Sequence, residues 1–229
     1  MHSETPENPI PSEDPFKLVE QAALQYKQEN FETALDLLVR AETLARETKR
    51  PEALVVIFSM AGNTFSGMGD LERALLYFEK SLEVIKAFEA EFECEEEHEA
   101  ELECEEGHEA GVECEEESEA DLEFEDEAEE EVESVFIEWS ASNEGKIGNL
   151  LFRLGRLGEA EKRLKLSLEL YEKLLEAEPG DVQFLSTSAK IRDSLGKVLT
   201  EKGRKDEACV FYTEAADIRK DLSKEGAEE

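Results

Sequence analysis

Four windows of this chain repeat one arrangement of small and bulky residues around an alanine. That repeat limits the possible folds more than any other feature. The windows AALQYKQENFETALDLL, AGNTFSGMGDLERALLYF, IGNLLFRLGRLGEAEKRL and LGKVLTEKGRKDEACVFY align without gaps on Ala34, Ala74, Ala160 and Ala208. Twelve residues before each anchor stands Ala22, Gly62, Gly148 or Gly196, and five before stands Glu29, Gly69, Gly155 or Gly203. Four after comes Leu38, Phe78, Leu164 or Tyr212, and seven after comes Ala41, Ser81, Ser167 or Ala215. Small residues let two helix backbones cross closely, and a bulky one fills the space beside the crossing. A glycine between them allows the left-handed conformation that ends the first helix. Apolar residues at three- and four-residue steps, such as Leu164, Leu168, Tyr171 and Leu175, mark the helices themselves.

The spacing predicts helices over 15–29, 31–48, 51–68, 70–90, 135–155, 157–177, 182–202 and 205–223, with the turn EPGD separating the last two pairs. In small residue, turn glycine, anchor alanine, bulky residue and second small residue, the windows resemble tetratricopeptide repeats. Two departures stand out: the Trp that can open a repeat is missing, and Gln21 and Gln25 weaken the first. Anchors are 40 and 48 residues apart within the two pairs, which is similar to the long-helix repeats of kinesin light chains. The resemblance implies an all-α fold, an α-α superhelix (solenoid) of four helical hairpins. It also implies a non-catalytic scaffold that binds a protein or peptide in a concave groove lined by first helices.

Ala74 and Ala160 are 86 residues apart, 46 more than the 40 of the first pair, so a segment is inserted between repeats two and three. Between Glu91 and Glu133 the chain carries 25 of its 60 acids and no Lys or Arg. The expected organisation is a tail over 1–14, repeats over 15–90, an acidic insertion over 91–134, repeats over 135–223 and a polar end over 224–229. The insertion repeats in tens (AEFECEEEHE, AELECEEGHE, AGVECEEESE, ADLEFEDEAE). A ten-residue step falls 80° short of three helical turns, so its apolar residues spiral rather than form a stripe. Like charges at three- and four-residue spacing further oppose a helix, which points to a disordered or frayed segment. Cys94 with His98, and Cys104 with His108, form Cys-x₃-His pairs, a formal zinc set. The third unit has Ser118 in the His place and the fourth has Phe124 and Ala128, so duplication of a glutamate-rich tract explains the spacing without a metal site.

A chain of net charge −35 repels nucleic acid and anionic membranes. No apolar run approaches the ~20 residues of a membrane span, and the amino-terminal stretch has no basic or apolar signal segment, so the expected location is cytoplasmic. No catalytic constellation and no cofactor site can be assembled, because the repeats contain no His and no phosphate loop; Cys209 is expected to pack between helices. Residues fourteen, eleven and seven before the anchors give the expected groove: Lys146, Asn149 and Arg153 in repeat three, Asn63 in repeat two, and Lys197 with Lys190 in repeat four. Cations and amides there suit an extended peptide carrying carboxylates. Some members of the family clamp an acidic chaperone tail with Lys and Asn in the first repeat, but the matching positions here are Val19 and Ala23. Two alternatives follow: the acidic insertion competes for the groove, or its Cys/His units bind metal. The last helix pair has no ninth helix to cover it, which suggests a homodimer through that pair.

Overall fold

The computed structural model describes the backbone of residues 14–106 and 119–225, and the side chains of residues 14–90 and 134–224. The described residues form α1 (Pro15–Lys27), α2 (Phe31–Glu47), α3 (Pro51–Met68), α4 (Leu71–Glu106), α5 (Glu119–Arg153), α6 (Leu157–Ala177), α7 (Val182–Glu201) and α8 (Lys205–Glu225), with no strand among them. Expected and observed helix ends agree within two residues, save the inner ends of α4 and α5. Those two helices run into the acidic tract from both sides instead of stopping at 90 and 135. Propagation explains this. Glutamate is a good helix former, and a helix already nucleated on a packed segment extends without a new nucleation cost. Repulsion of a few tenths of a kcal/mol per like pair does not reverse that balance.

Helix starts are set locally. Asp14 accepts the Phe16 amide at 3.1 Å and Pro15 occupies the first turn of α1. Asp181 accepts the Phe184 amide at 2.6 Å to begin α7. The first helix of each hairpin ends in a left-handed residue, with φ 83°, 75° and 78° at Gly69, Gly155 and Gly203, and 61° at Glu29. The next amide then reaches back five residues: Asp70 to the Phe65 carbonyl, Arg156 to Leu151, Arg204 to Leu199 and Asn30 to Gln25, each at 2.9 Å.

Two compact units result, Met1–Val84 and Ile85–Glu229. In the first, α1 packs on α2, α2 on α3, and α1 touches α3. In the second, α5 packs on α6, α6 on α7, α7 on α8, and α5 touches α7. Within each unit, therefore, the first helices of successive hairpins lie side by side.

The repeat positions are the contacts that close each hairpin. A Cβ on Gly62 would meet the Phe78 ring at 2.8 Å, one on Gly148 the Leu164 Cγ at 2.6 Å, and one on Gly196 the Tyr212 ring at 2.6 Å. All three are pairs of the position twelve before and the position four after an anchor. The second small position adds a hydrogen bond where it is serine. Ser81 Oγ donates to the Val55 carbonyl at 2.9 Å, and Ser167 Oγ to the Ala141 carbonyl at 2.7 Å, across the same 26-residue separation. Ala41 and Ala215 fill that place in the other two hairpins, fully buried. Anchors Ala34, Ala74 and Ala160 have no exposed surface and Ala208 has 2%.

Charge ties hairpins three and four together. Glu161, at the start of α6, accepts Lys202 at 2.5 Å, Arg204 at 2.8 Å and Lys165 at 3.0 Å. Burial pushes its carboxyl up, but the bonds from Lys202, Lys165 and Arg204 outweigh that and hold it at about 2. Arg163 on α6 grips the buried Glu144 of α5 through both oxygens, at 2.7 and 2.9 Å. Arg192 of α7 reaches Glu172 on α6 at 2.8 Å and Glu214 on α8 at 3.2 Å. One expectation is corrected: Cys209 is exposed and does not pack between helices. It follows the buried Ala208 by about 100° of helical rotation, which carries it off the α7 contact.

Candidate functional site

In the second unit, α5 and α7 are first helices in contact, and five of the six residues expected in the groove lie on these two helices. Lys146, Asn149 and Arg153 stand at i, i+3 and i+7 on one side of α5, while Gly148 faces Leu164 of α6 and Leu150 and Leu151 are buried. Lys146 is half-buried, and burial holds its ammonium below the usual lysine range. Asn149 is exposed, and its Nδ2 donates to the Gly145 carbonyl at 3.0 Å, which fixes the amide plane with respect to the helix. Arg153 is exposed near the end of α5. On α7, Lys190 and Lys197 are exposed two turns apart, held outward by the buried Ile191, Leu195 and Val198 on the opposite side.

Acids are interleaved with these cations, and one of them is engaged elsewhere. Asp193 pairs with Arg219 of α8, whose guanidinium also donates to the Ala189 carbonyl at 3.4 Å. Glu201 remains exposed at the end of α7. On these two helices the four named cations outnumber the two interleaved acids, in a chain whose net charge is −35. Cations and amides of this kind can hold carboxylates by charge and by N–H donation.

Asn63 lies on α3 in the first unit, half-buried at the same repeat position as Asn149. Val19 and Ala23 hold the corresponding places on α1, buried and half-buried. Of the metal candidates, Cys94, His98 and Cys104 lie outside the described side chains, and His108 lies outside the described residues. Among the described residues, no group of three or more His, Cys, Asp or Glu could hold a metal ion. No helix among them is long and apolar enough to cross a membrane.

The pairing of Glu161 with Lys202 and Arg204, and of Asp193 with Arg219, could not be read from the sequence. Each joins residues 26 to 43 positions apart, and nothing in the local pattern marks them as partners.

The fold and this arrangement define a helical-repeat protein built from four hairpins. Tetratricopeptide-repeat family models match residues 57–88, 145–181 and 189–222, each segment spanning one anchor alanine. The chain belongs to the tetratricopeptide-repeat superfamily, whose members are in general protein-interaction scaffolds without catalytic activity. Comparison with curated proteins finds no match. Among solved structures, the chain is similar to Pseudomonas aeruginosa pilF, at 14% identity and TM-score 0.48, covering 93% of this chain and 68% of that one. It is also similar to BtubC (BKLC) from P. vanneervenii, at 18% identity and TM-score 0.44 over 92% and 84% of the two chains. A third is the TPR2AB-domain:pHSP90 complex of yeast Sti1, at 19% identity and TM-score 0.31 over 90% and 86%.

Proposed function

We propose that this chain is a non-catalytic scaffold that captures an extended, carboxylate-bearing peptide on the α5–α7 flank. The observation that carries the reading is that α5 and α7 lie in contact with Lys146, Arg153, Lys190 and Lys197 on one repeat face, while the intervening Asp193 is drawn away by Arg219. Asn149 contributes hydrogen bonding to the peptide backbone. Lys146 supplies a partly desolvated cation, whose attraction for a carboxylate is stronger than that of a fully hydrated one.

The acidic tract is the chain's own competitor for such a flank, since it is a polyanion of 25 acids joined covalently to α5. Titration of the purified protein with a fluorescein-labelled oligoglutamate peptide, read by anisotropy, tests both readings. Binding should weaken about tenfold in the Lys190→Glu, Lys197→Glu double variant and fall steeply with salt. Unchanged affinity in that variant would discard the flank as the binding face. Removing residues 91–133 should tighten binding if the tract competes, and should leave it unchanged if the tract is only a spacer. Metal binding by the tract would instead appear as zinc uptake that is lost when Cys94 and Cys104 are replaced.

A further inference from the structure

The bulky position four after the anchor is buried in the first three hairpins, with 2%, 1% and 0% of Leu38, Phe78 and Leu164 exposed. In the fourth it is Tyr212, at 38% exposed, and Val210 beside it is at 55%. Within the second unit, the α6 face that corresponds to this side of α8 is covered by α7. On α8, Ala208 and Ala215 turn toward α7, and the opposite side is a stripe of Asp206, Cys209, Val210, Thr213, Ala216, Asp217 and Lys220, all exposed. Its upper half is a shallow hollow formed by Asp206, Cys209, Val210 and Thr213, with Glu214 at the edge.

The order of residues along this stripe is self-complementary. An antiparallel copy of α8 related by a two-fold axis at Thr213 sets each residue against the one equally far on the other side of 213. Val210 then faces Ala216, Cys209 faces Asp217, and Asp206 faces Lys220, the last pair occurring twice by symmetry. A parallel arrangement would place Asp206 against Asp206 and Lys220 against Lys220. Among the described residues no hydrogen bond or ion pair involves the Asp206 or Lys220 side chain, whereas Glu207, Glu214, Arg219 and Lys224 of the same helix are all paired within the chain. The geometry points to this stripe as a self-association surface, through which two copies pair by antiparallel α8 helices.

One helix pair buries less than the ~1,200 Å² of an ordinary specific interface, so the association is weak, with a dissociation constant on the order of 10 µM. Repulsion between two chains of net charge −35 opposes it at low salt, which makes ~0.15 M salt, with a screening length of about 8 Å, the condition for the test.

Sedimentation equilibrium of the full chain and three charge variants tests the pairing. Asp206→Lys and Lys220→Asp should each weaken the dimer about tenfold, since each replaces two attractive pairs with two repulsive ones, and the double exchange should restore it. All of these residues are exposed, and equal thermal melts of the variants would show intact folding. Thr213→Cys, with Cys94, Cys104, Cys114 and Cys209 replaced by Ser, should give a covalent dimer on mild oxidation, because position 213 lies on the axis. A chain that stays monomeric at about 100 µM, well above the expected constant, overturns the proposal. So does a dimer indifferent to the single exchanges, one that the double exchange fails to restore, or one that position 213 cannot cross-link.

Discussion

At Gly148 the space for a side chain is already taken by Leu164, whose Cγ would sit 2.6 Å from an added Cβ. Gly148→Ala should therefore cost about 1–3 kcal/mol by overpacking, seen as a lower thermal midpoint. Gly180, in the turn before α7, has nothing within 4 Å of its would-be Cβ, so the same replacement there should leave the midpoint nearly unchanged. Glu29 presents the opposite case. It holds φ 61° at the turn where the other three hairpins use glycine, and a Cβ in that conformation is strained. Glu29→Gly should stabilise the protein by about 0.5–1 kcal/mol, measured by denaturant unfolding. A destabilised Glu29→Gly would mean that the Glu side chain contributes something the backbone geometry does not reveal.

Between elements, the contacts divide into those written in the repeat and those that arise only when hairpins meet. Ser167 is of the first kind: its bond to the Ala141 carbonyl joins α6 to α5 at a position where Ala215 serves equally well in the last hairpin. Ser167→Ala should cost only about 1 kcal/mol, because the carbonyl keeps its helical partner. Glu161 is of the second kind, joining α6 to Lys202 and Arg204 around the turn before α8. Its folded carboxyl lies at about 2, below its ordinary 4.5. The stabilisation it provides is therefore complete above about pH 4.5 and is lost as pH falls toward 2. Glu161→Gln should destabilise by about 1–2 kcal/mol at neutral pH, and the gap from the parent should close across that acid window. The hairpins were legible in the sequence because a small residue opposite a bulky one is a local requirement of two helices crossing. The Glu161 cluster was not, since a glutamate just after an alanine anchor looks like any solvated helix residue until the next hairpin brings cations to it. Nor was the exposure of Cys209, one residue past the buried Ala208 and about 100° round the helix from it. The apolar spacing of α4 and α5 marks their packed parts, and their extension into the tract follows from propagation of a helix already nucleated on a packed segment.

For the whole chain, the two compact units meet in sequence at Val84 and Ile85, and an acidic tract within the span of the second holds most of the excess negative charge and interrupts the repeat without altering its grammar. Helix propensity, turn residues and small–bulky pairs all agree on the same hairpins, and such agreement across levels makes a fold specific. The proposed function rests on α5 and α7, adjacent first helices that carry five of the six residues expected in the groove, and the partner is not encoded by spacing. The most direct test is a backbone amide NMR titration of the isotope-labelled chain with an oligoglutamate peptide. Chemical shifts should change for residues 143–153 of α5 and 190–197 of α7 while those of 206–220 on α8 stay in place. Shifts absent from α5 and α7, or spread evenly over all helices, would contradict the account.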